Sequence, residues 1–164
     1  MSLTIRPAQD GDAPGIAAIW TPVIRDTTAI FHTGARDAPF VRANIADRRA
    51  TGTEFFVAEE AGRILGFATY GQFRSGNGYV HAYEHSVMIA PEAKGRGVGR
   101  ALMAAVEGHA RGQGGHTMVA AISGENAAAQ AFHAQLGYAE VGRLPESGRK
   151  FDRWLDLVLM MKTL

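Results

Sequence analysis

The segment Tyr83–Met103, YEHSVMIAPEAKGRGVGRALM, constrains this chain more than any other. His85 to Ile89 is apolar and β-branched enough for a strand, Ala90-Pro91-Glu92 breaks it, and a helical apolar period begins at Val98. The glycines at 95, 97 and 99 remove Cβ atoms that would block close approach to the backbone. A helix start presents N–H groups that lack intrahelical acceptors at the positive end of its dipole. Such a turn suits an anion such as a pyrophosphate, and Lys94, Arg96 and Arg100 add charge of the matching sign. The competing reading is a tight connection that needs glycine only for its own geometry. Two other phosphate loops do not fit. The P-loop's Gly-Lys-Ser/Thr is absent, and a dinucleotide fingerprint would need glycine at Leu102 or Arg100.

Around this segment the pattern alternates between strands and helices. Leu3 to Pro7 reads as a strand, and Asp10 or Asp12 can cap a helix on Ile16, Trp20 and Ile24. A weaker stripe of Val41, Asn44, Ile45 and Arg48 predicts a helix from Ala38 to Ala50. Glu54–Glu60 and Arg63–Phe73 are strands joined at the hairpin signal Ala61-Gly62. A Gly-rich loop, Arg74 to Gly78, leads into a long strand from Tyr79 to Ala90. The helix from Val98 ends near Gly112, and His116–Ile122 is a buried strand. A further helix lies on Ala128, Phe132 and Leu136, and Tyr138–Leu144 and Trp154–Met161 are strands. The order βααβββαβαββ predicts an α/β (α+β) class with a mixed sheet and helices on its faces.

Length and composition bound the rest. At 164 residues, 46% of them apolar, one domain over residues 1–164 is expected. A net charge of +1 gives no reason to expect a nucleic-acid or membrane partner. No apolar run has spanning length, and Met1 to Thr4 reads as neither signal nor transit peptide, so the cytoplasm is the expected compartment. The absence of cysteine excludes a thioester on the enzyme and thiolate metal sites. His81 and His85, four apart on a strand, stand roughly 13 Å from each other at about 3.3 Å per residue, too far for one metal. No metal is implied.

Lys94-Gly95-Arg96-Gly97-Val98-Gly99 resembles the pyrophosphate loop of the GNAT N-acetyltransferases, Gln/Arg-x-x-Gly-x-Gly/Ala, with Lys at its first position. With the element order and the Asn126–Tyr138 segment, the resemblance covers nearly the whole chain. TTAIF (27–31), YGQFR (70–74), YEHSV (83–87) and GRKFDRWLDL (148–157) look like the phosphinothricin and methionine-sulfone N-acetyltransferase branch. The resemblance implies a mostly antiparallel GNAT sheet, acetyl-CoA as donor, a small amino-acid-like amine as acceptor, and a homodimer.

Direct transfer to an amine needs a base and stabilisation of the developing oxyanion. Strand alternation puts Glu84 with Ala82 and Ser86 on one face, and His85 with Val87 and Ile89 on the other. The resemblance makes Glu84 the general base; otherwise it is a surface carboxylate paired with an arginine. It also implies that Val87, Met88 and Ile89 present backbone to pantetheine while Asn126 contacts it. His133 stands where the family's thiol-protonating residue lies. For the acceptor, Arg74 is a candidate for its carboxylate and equally an exposed loop arginine. Phe31 and Tyr79 are candidate pocket walls, His85 and Ser86 adjoin the site, and Lys150 is a further candidate. Gln130 reads as part of a solvated face. Two alternatives stay open: an enzyme of this fold for a protein N-terminus, polyamine or antibiotic, and a CoA-binding module without turnover.

Overall fold

A computed structural model describes residues 2–164. Its centre is a seven-stranded sheet in the order β1-β2-β3-β4-β5-β7-β6. The strands are β1 (Thr4–Pro7), β2 (Phe55–Glu60), β3 (Arg63–Gln72), β4 (Ala82–Ile89), β5 (Thr117–Ser123), β6 (Ala139–Lys150) and β7 (Arg153–Thr163). The helices are α1 (Ala13–Asp26), α2 (Ala38–Ala50), α3 (Val98–Gly112) and α4 (Ala127–Gln135). Every neighbouring pair is antiparallel except β4 with β5. This is the mixed sheet and the element order that the sequence predicts.

The two faces have separate cores. On one, α1 lays Trp20 against Phe67 of β3, with ring centroids 5.0 Å apart, and Phe67 stacks on Phe55. Val41 and Ile45 dock α2 beside them, almost fully buried. On the other, α3 buries Val98, Leu102, Met103 and Val106, and Tyr70 of β3 places its hydroxyl 2.6 Å from Nδ1 of His109. The hairpin at Ala61-Gly62 forms as expected, with φ of 53° and 76°, the left-handed pair that matches strand twist.

Two strand boundaries differ from the sequence reading by more than two residues. The strand expected from Tyr79 begins at Ala82, because Asn77–Tyr79 closes into a 3-10 turn behind Gly76 at φ 105°. The strand expected to stop at Leu144 runs on to Lys150. Irregularities at Glu140/Gly142 and Leu144/Gly148 absorb Pro145, Glu146 and Ser147 while β7 keeps the pairing.

This extension of β6 decides where Lys150 goes. It does not enter the acceptor side as expected. Its buried ammonium donates to the carbonyls of Ile24 (2.5 Å), Thr27 (2.7 Å) and Ile30 (2.6 Å), closing the end of α1. Phe31 packs where a side chain on Gly148 would stand, 2.3 Å from its ring. The β6–β7 hairpin thus clamps residues 24–31. Replacing Lys150 by Met leaves three carbonyls without their donor, and we expect a loss of about 2–4 kcal/mol in urea denaturation.

Candidate active site

β4 and β5 pair only from Ala82 to Glu84, against Thr117 to Val119. Beyond that, β4 stays on β3 as far as Ile89, and β5 stays on β7 as far as Ser123. The two strands part, and a cavity of about 320 Å³ fills the wedge. Val87, Met88 and Ile89 line it from β4, Ala120 to Ile122 from β5, and Asn126, Ala129 and His133 from α4 and its cap. The small alanines of β5 keep it open. The β4 edge facing the gap carries N–H and C=O groups without a strand partner, as an extended amide-bearing chain would require.

At the open end of the wedge lies the glycine turn. Gly95 and Gly97 have φ of 77° and 80°, and nothing stands within 4 Å of where their Cβ atoms would be. Gly97 is the N-cap of α3 without any side-chain cap, so the first amides of the helix face outward. This cradle fits a pyrophosphate. Gly99 also has a packing role: a Cβ there would meet the Phe132 ring at 3.1 Å, so this glycine lets α4 pack on α3. Arg96 is drawn to Glu60 at 2.8 Å. Lys94 lines the wedge, and neither it nor Arg100 forms an ion pair among the described residues.

A second cavity, about 440 Å³, opens on the α1–α2 face of the sheet. It shares Ala29, Ile30, Ser86, Met88 and Ala121 with the first, so the two meet through the parting of the strands. Glu84, Ser86 and Phe31 line it, together with Asn44 and Arg48 from α2. Desolvation by these walls pushes the Glu84 carboxyl above its ordinary pKa, and the charge of Arg48 pulls it back in part. Arg74 and Tyr79 do not line this cavity; they stack on each other at 5.5 Å on an exposed loop. Sequence reasoning missed Arg48 and Asn44 as site residues. The signal was their place on the inward stripe of α2 beside Val41 and Ile45, where an unpaired polar residue needs a reason.

His85 points to the opposite face, as alternation requires, and cannot reach the Glu84 cavity. Its ring stacks on His133 at 5.0 Å, with the two Nε2 atoms 3.1 Å apart. His133 Nδ1 lies 2.7 Å from the Ala129 carbonyl, which can only accept, so the network assigns the proton to Nδ1. Nε2 of His133 then accepts from Nε2–H of His85, and Nδ1 of His85 is left buried without a partner. Burial lowers the pKa of His133 and, with the charge of His133 adding to it, pushes His85 down to about 3. Both ring nitrogens of His133 are thus engaged, Nδ1 by Ala129 and Nε2 by His85. Asn126 caps α4 through Oδ1 on the Ala129 amide (3.1 Å). Gln130, read as a solvated residue, instead donates to the Ser123 and Gly124 carbonyls, both at 3.3 Å.

A sheet parted at its one parallel pair, with an uncapped glycine-led helix at the mouth, defines an acetyltransferase of the GNAT type, and the chain belongs to that family. The model of the acetyltransferase (GNAT) family matches residues 20–138. An L-methionine sulfoximine/L-methionine sulfone acetyltransferase from Pseudomonas aeruginosa is 41% identical, over 100% of this chain and 96% of that protein. A phosphinothricin N-acetyltransferase from Alcaligenes faecalis is 36% identical over 98% of this chain and 82% of its own. A solved acetyltransferase from Salmonella typhimurium with its cofactor acetyl-CoA superposes with a TM-score of 0.95 at 36% identity, covering 100% of this chain and 95% of that one.

The imidazole pair is testable by NMR. His85 should stay neutral across pH 5–8. Two buried imidazoles with lowered pKa take up protons less readily than in the unfolded chain, so stability should fall as pH drops below about 6.5. A His85 resonance titrating near its ordinary pKa would contradict the arrangement.

Proposed function

We propose that the chain transfers the acetyl group of acetyl-CoA directly to the α-amine of a small amino-acid analogue such as methionine sulfone, methionine sulfoximine or phosphinothricin. One observation carries this reading: the wedge between β4 and β5 leads from the glycine turn into the cavity that holds Glu84. The names of the relatives from Pseudomonas aeruginosa and Alcaligenes faecalis, a methionine sulfoximine/methionine sulfone acetyltransferase and a phosphinothricin N-acetyltransferase, support this acceptor class.

In this reading the amides of residues 95–100 receive the diphosphate, and the open edge of β4 at Val87 to Ile89 receives the pantetheine amides. Asn126 faces the same slot. The thioester carbonyl then lies at the point where the two cavities meet. Glu84, directly or through one water, accepts a proton from the acceptor ammonium and frees its lone pair. Amide donors of the parted strand stabilise the oxyanion as the N–C bond forms, and the C–S bond then breaks. The thiolate is a good leaving group, and with His133 held neutral and hydrogen-bonded, proton delivery to sulfur falls to solvent. His133 instead walls the slot and fixes His85. Phe31 and Ser86 shape the acceptor side, and Arg74 with Tyr79 stands apart from the Glu84 cavity on the loop.

We also infer a homodimer working in the cytoplasm, where acetyl-CoA is made. The edge strand β6 and its hairpin expose Val141, Leu144, Phe151 and Trp154, the last at 58%, a patch suited to a second copy. A net charge of +1 favours neither nucleic acid nor membrane as a partner.

Glu84→Gln should lower kcat by roughly 10²–10⁴-fold, the range of general-base catalysis, without weakening acetyl-CoA binding. Wild-type turnover should fall as acid protonates Glu84, at a pH above the ordinary carboxylate range. The charged and titratable groups around that carboxylate are Arg48 of α2 and His32 and Arg36 of the preceding loop. Normal rates in the variant would remove Glu84 from the mechanism. Cofactor binding without thiol release across a panel of amines would favour a binding module instead.

A further inference from the structure

The segment from Thr27 to Phe31 walls both cavities without belonging to any helix or strand. Ala29 and Ile30 line the wedge as well as the Glu84 cavity, and Phe31 lines the latter. Such a segment has no ladder to fix its shape and needs other ties. The buried Lys150 ammonium gathers the Thr27 and Ile30 carbonyls. At the surface a second tie stands at Glu125, which the transfer chemistry does not use.

Glu125 directly precedes Asn126, the cap of α4 that lines the wedge. Its Oε1 accepts from the Thr28 hydroxyl at 2.9 Å. Its two oxygens also accept from Nη1 and Nη2 of Arg153, at 2.6 and 2.9 Å. Arg153 opens β7 just after the left-handed turn residues Phe151 and Asp152, at φ of 52° and 58°. One carboxylate thus fastens three stretches of chain: the acceptor-side segment, the loop before α4 and the β6–β7 hairpin. Arg153 and Thr28 hold that carboxyl down to about 2, so it stays ionised near neutral pH. The side chains of Arg153 and Glu125 are 52% and 43% exposed, and pairs so open to water add little to stability. Three aligned bonds to one carboxylate do, however, fix where an irregular backbone lies, because the bidentate fork has one geometry.

We propose that Glu125, held by Arg153, is a positioning residue for the transfer: by clasping Thr28 it sets Ile30 and Phe31 against the acceptor while its neighbour Asn126 faces the cofactor. The proposal rests on the transferase reading. Glu84 sits on β4 and is no part of the clasp. Loosening the clasp therefore weakens acceptor binding and spares the chemical step of the saturated enzyme.

The test is steady-state thiol release from acetyl-CoA with methionine sulfone varied. Glu125→Ala should raise the acceptor KM roughly 3- to 10-fold, with kcat within about twofold of wild type. Arg153→Ala should shift KM the same way, and the double variant should be no worse than Glu125→Ala, since the arginine acts through the carboxylate. Arg25→Ala, which removes a more exposed pair with Asp26 at the end of α1, should leave KM at wild type. A purely structural loss would lower the active fraction, and with it kcat, at constant KM. Constant KM in Glu125→Ala, or a double variant whose effects simply add, overturns the proposal. If the wild type releases no thiol, the transferase reading fails, and hydrogen exchange then decides the clasp. Amides of residues 28–31 should exchange faster in Glu125→Ala; equal protection sinks it.

Discussion

The parting of β4 from β5 is the constraint on which the rest depends. A parallel pair closed over Ala82–Glu84 alone leaves the next residues of both strands with open edges. The sheet tolerates this because each strand is held from its outer side, β4 by β3 and β5 by β7, so neither can swing across to close the gap. Alanines at 120 and 121 put little into the opening. A flaw in one ladder becomes a passage between the two faces of the sheet.

Alternation along β4 then divides the chemistry. Glu84, Ser86 and Met88 line the acceptor cavity, while His85 turns to the α3–α4 face and stacks on His133. A single strand thus separates a carboxyl whose pKa burial raises from imidazoles whose pKa burial lowers. The same separation places His85 in the lining of the wedge and not in that of the Glu84 cavity. His133 is the buried member of α4, hydrogen-bonded to the Ala129 carbonyl and to His85.

The acceptor cavity is assembled from distant pieces. Apolar docking of Val41 and Ile45 delivers Asn44 and Arg48 from α2, and Gly71 supplies the room for the guanidinium. Lys150 and Gly148, more than a hundred residues on, hold the 24–31 segment that carries Ile30 and Phe31 into the wall. Fold integrity and pocket shape are coupled through that one buried ammonium.

Periodicity and turn chemistry disclosed the element order, because each strand and helix has local apolar spacing and each break has its glycine or proline. The anion-ready start of α3 was legible for the same reason: Gly95 and Gly97 need left-handed backbone whatever surrounds them. Where a side chain ends up among its neighbours is not a local property. Lys150, Arg74 and Arg96 are all cations in loops or at strand ends, and nothing in their spacing distinguishes a carbonyl clamp, an aromatic stack and an ion pair with Glu60. That Gly99 also makes room for the Phe132 ring of α4 is likewise a matter of long-range packing. The order of residues by itself determined the elements and the cofactor turn, through short-range backbone sterics. Tertiary structure alone decided that Arg48 stands unpaired beside Glu84, because that meeting depends on a helix, a missing side chain on β3 and a gap between strands that only long-range packing brings together.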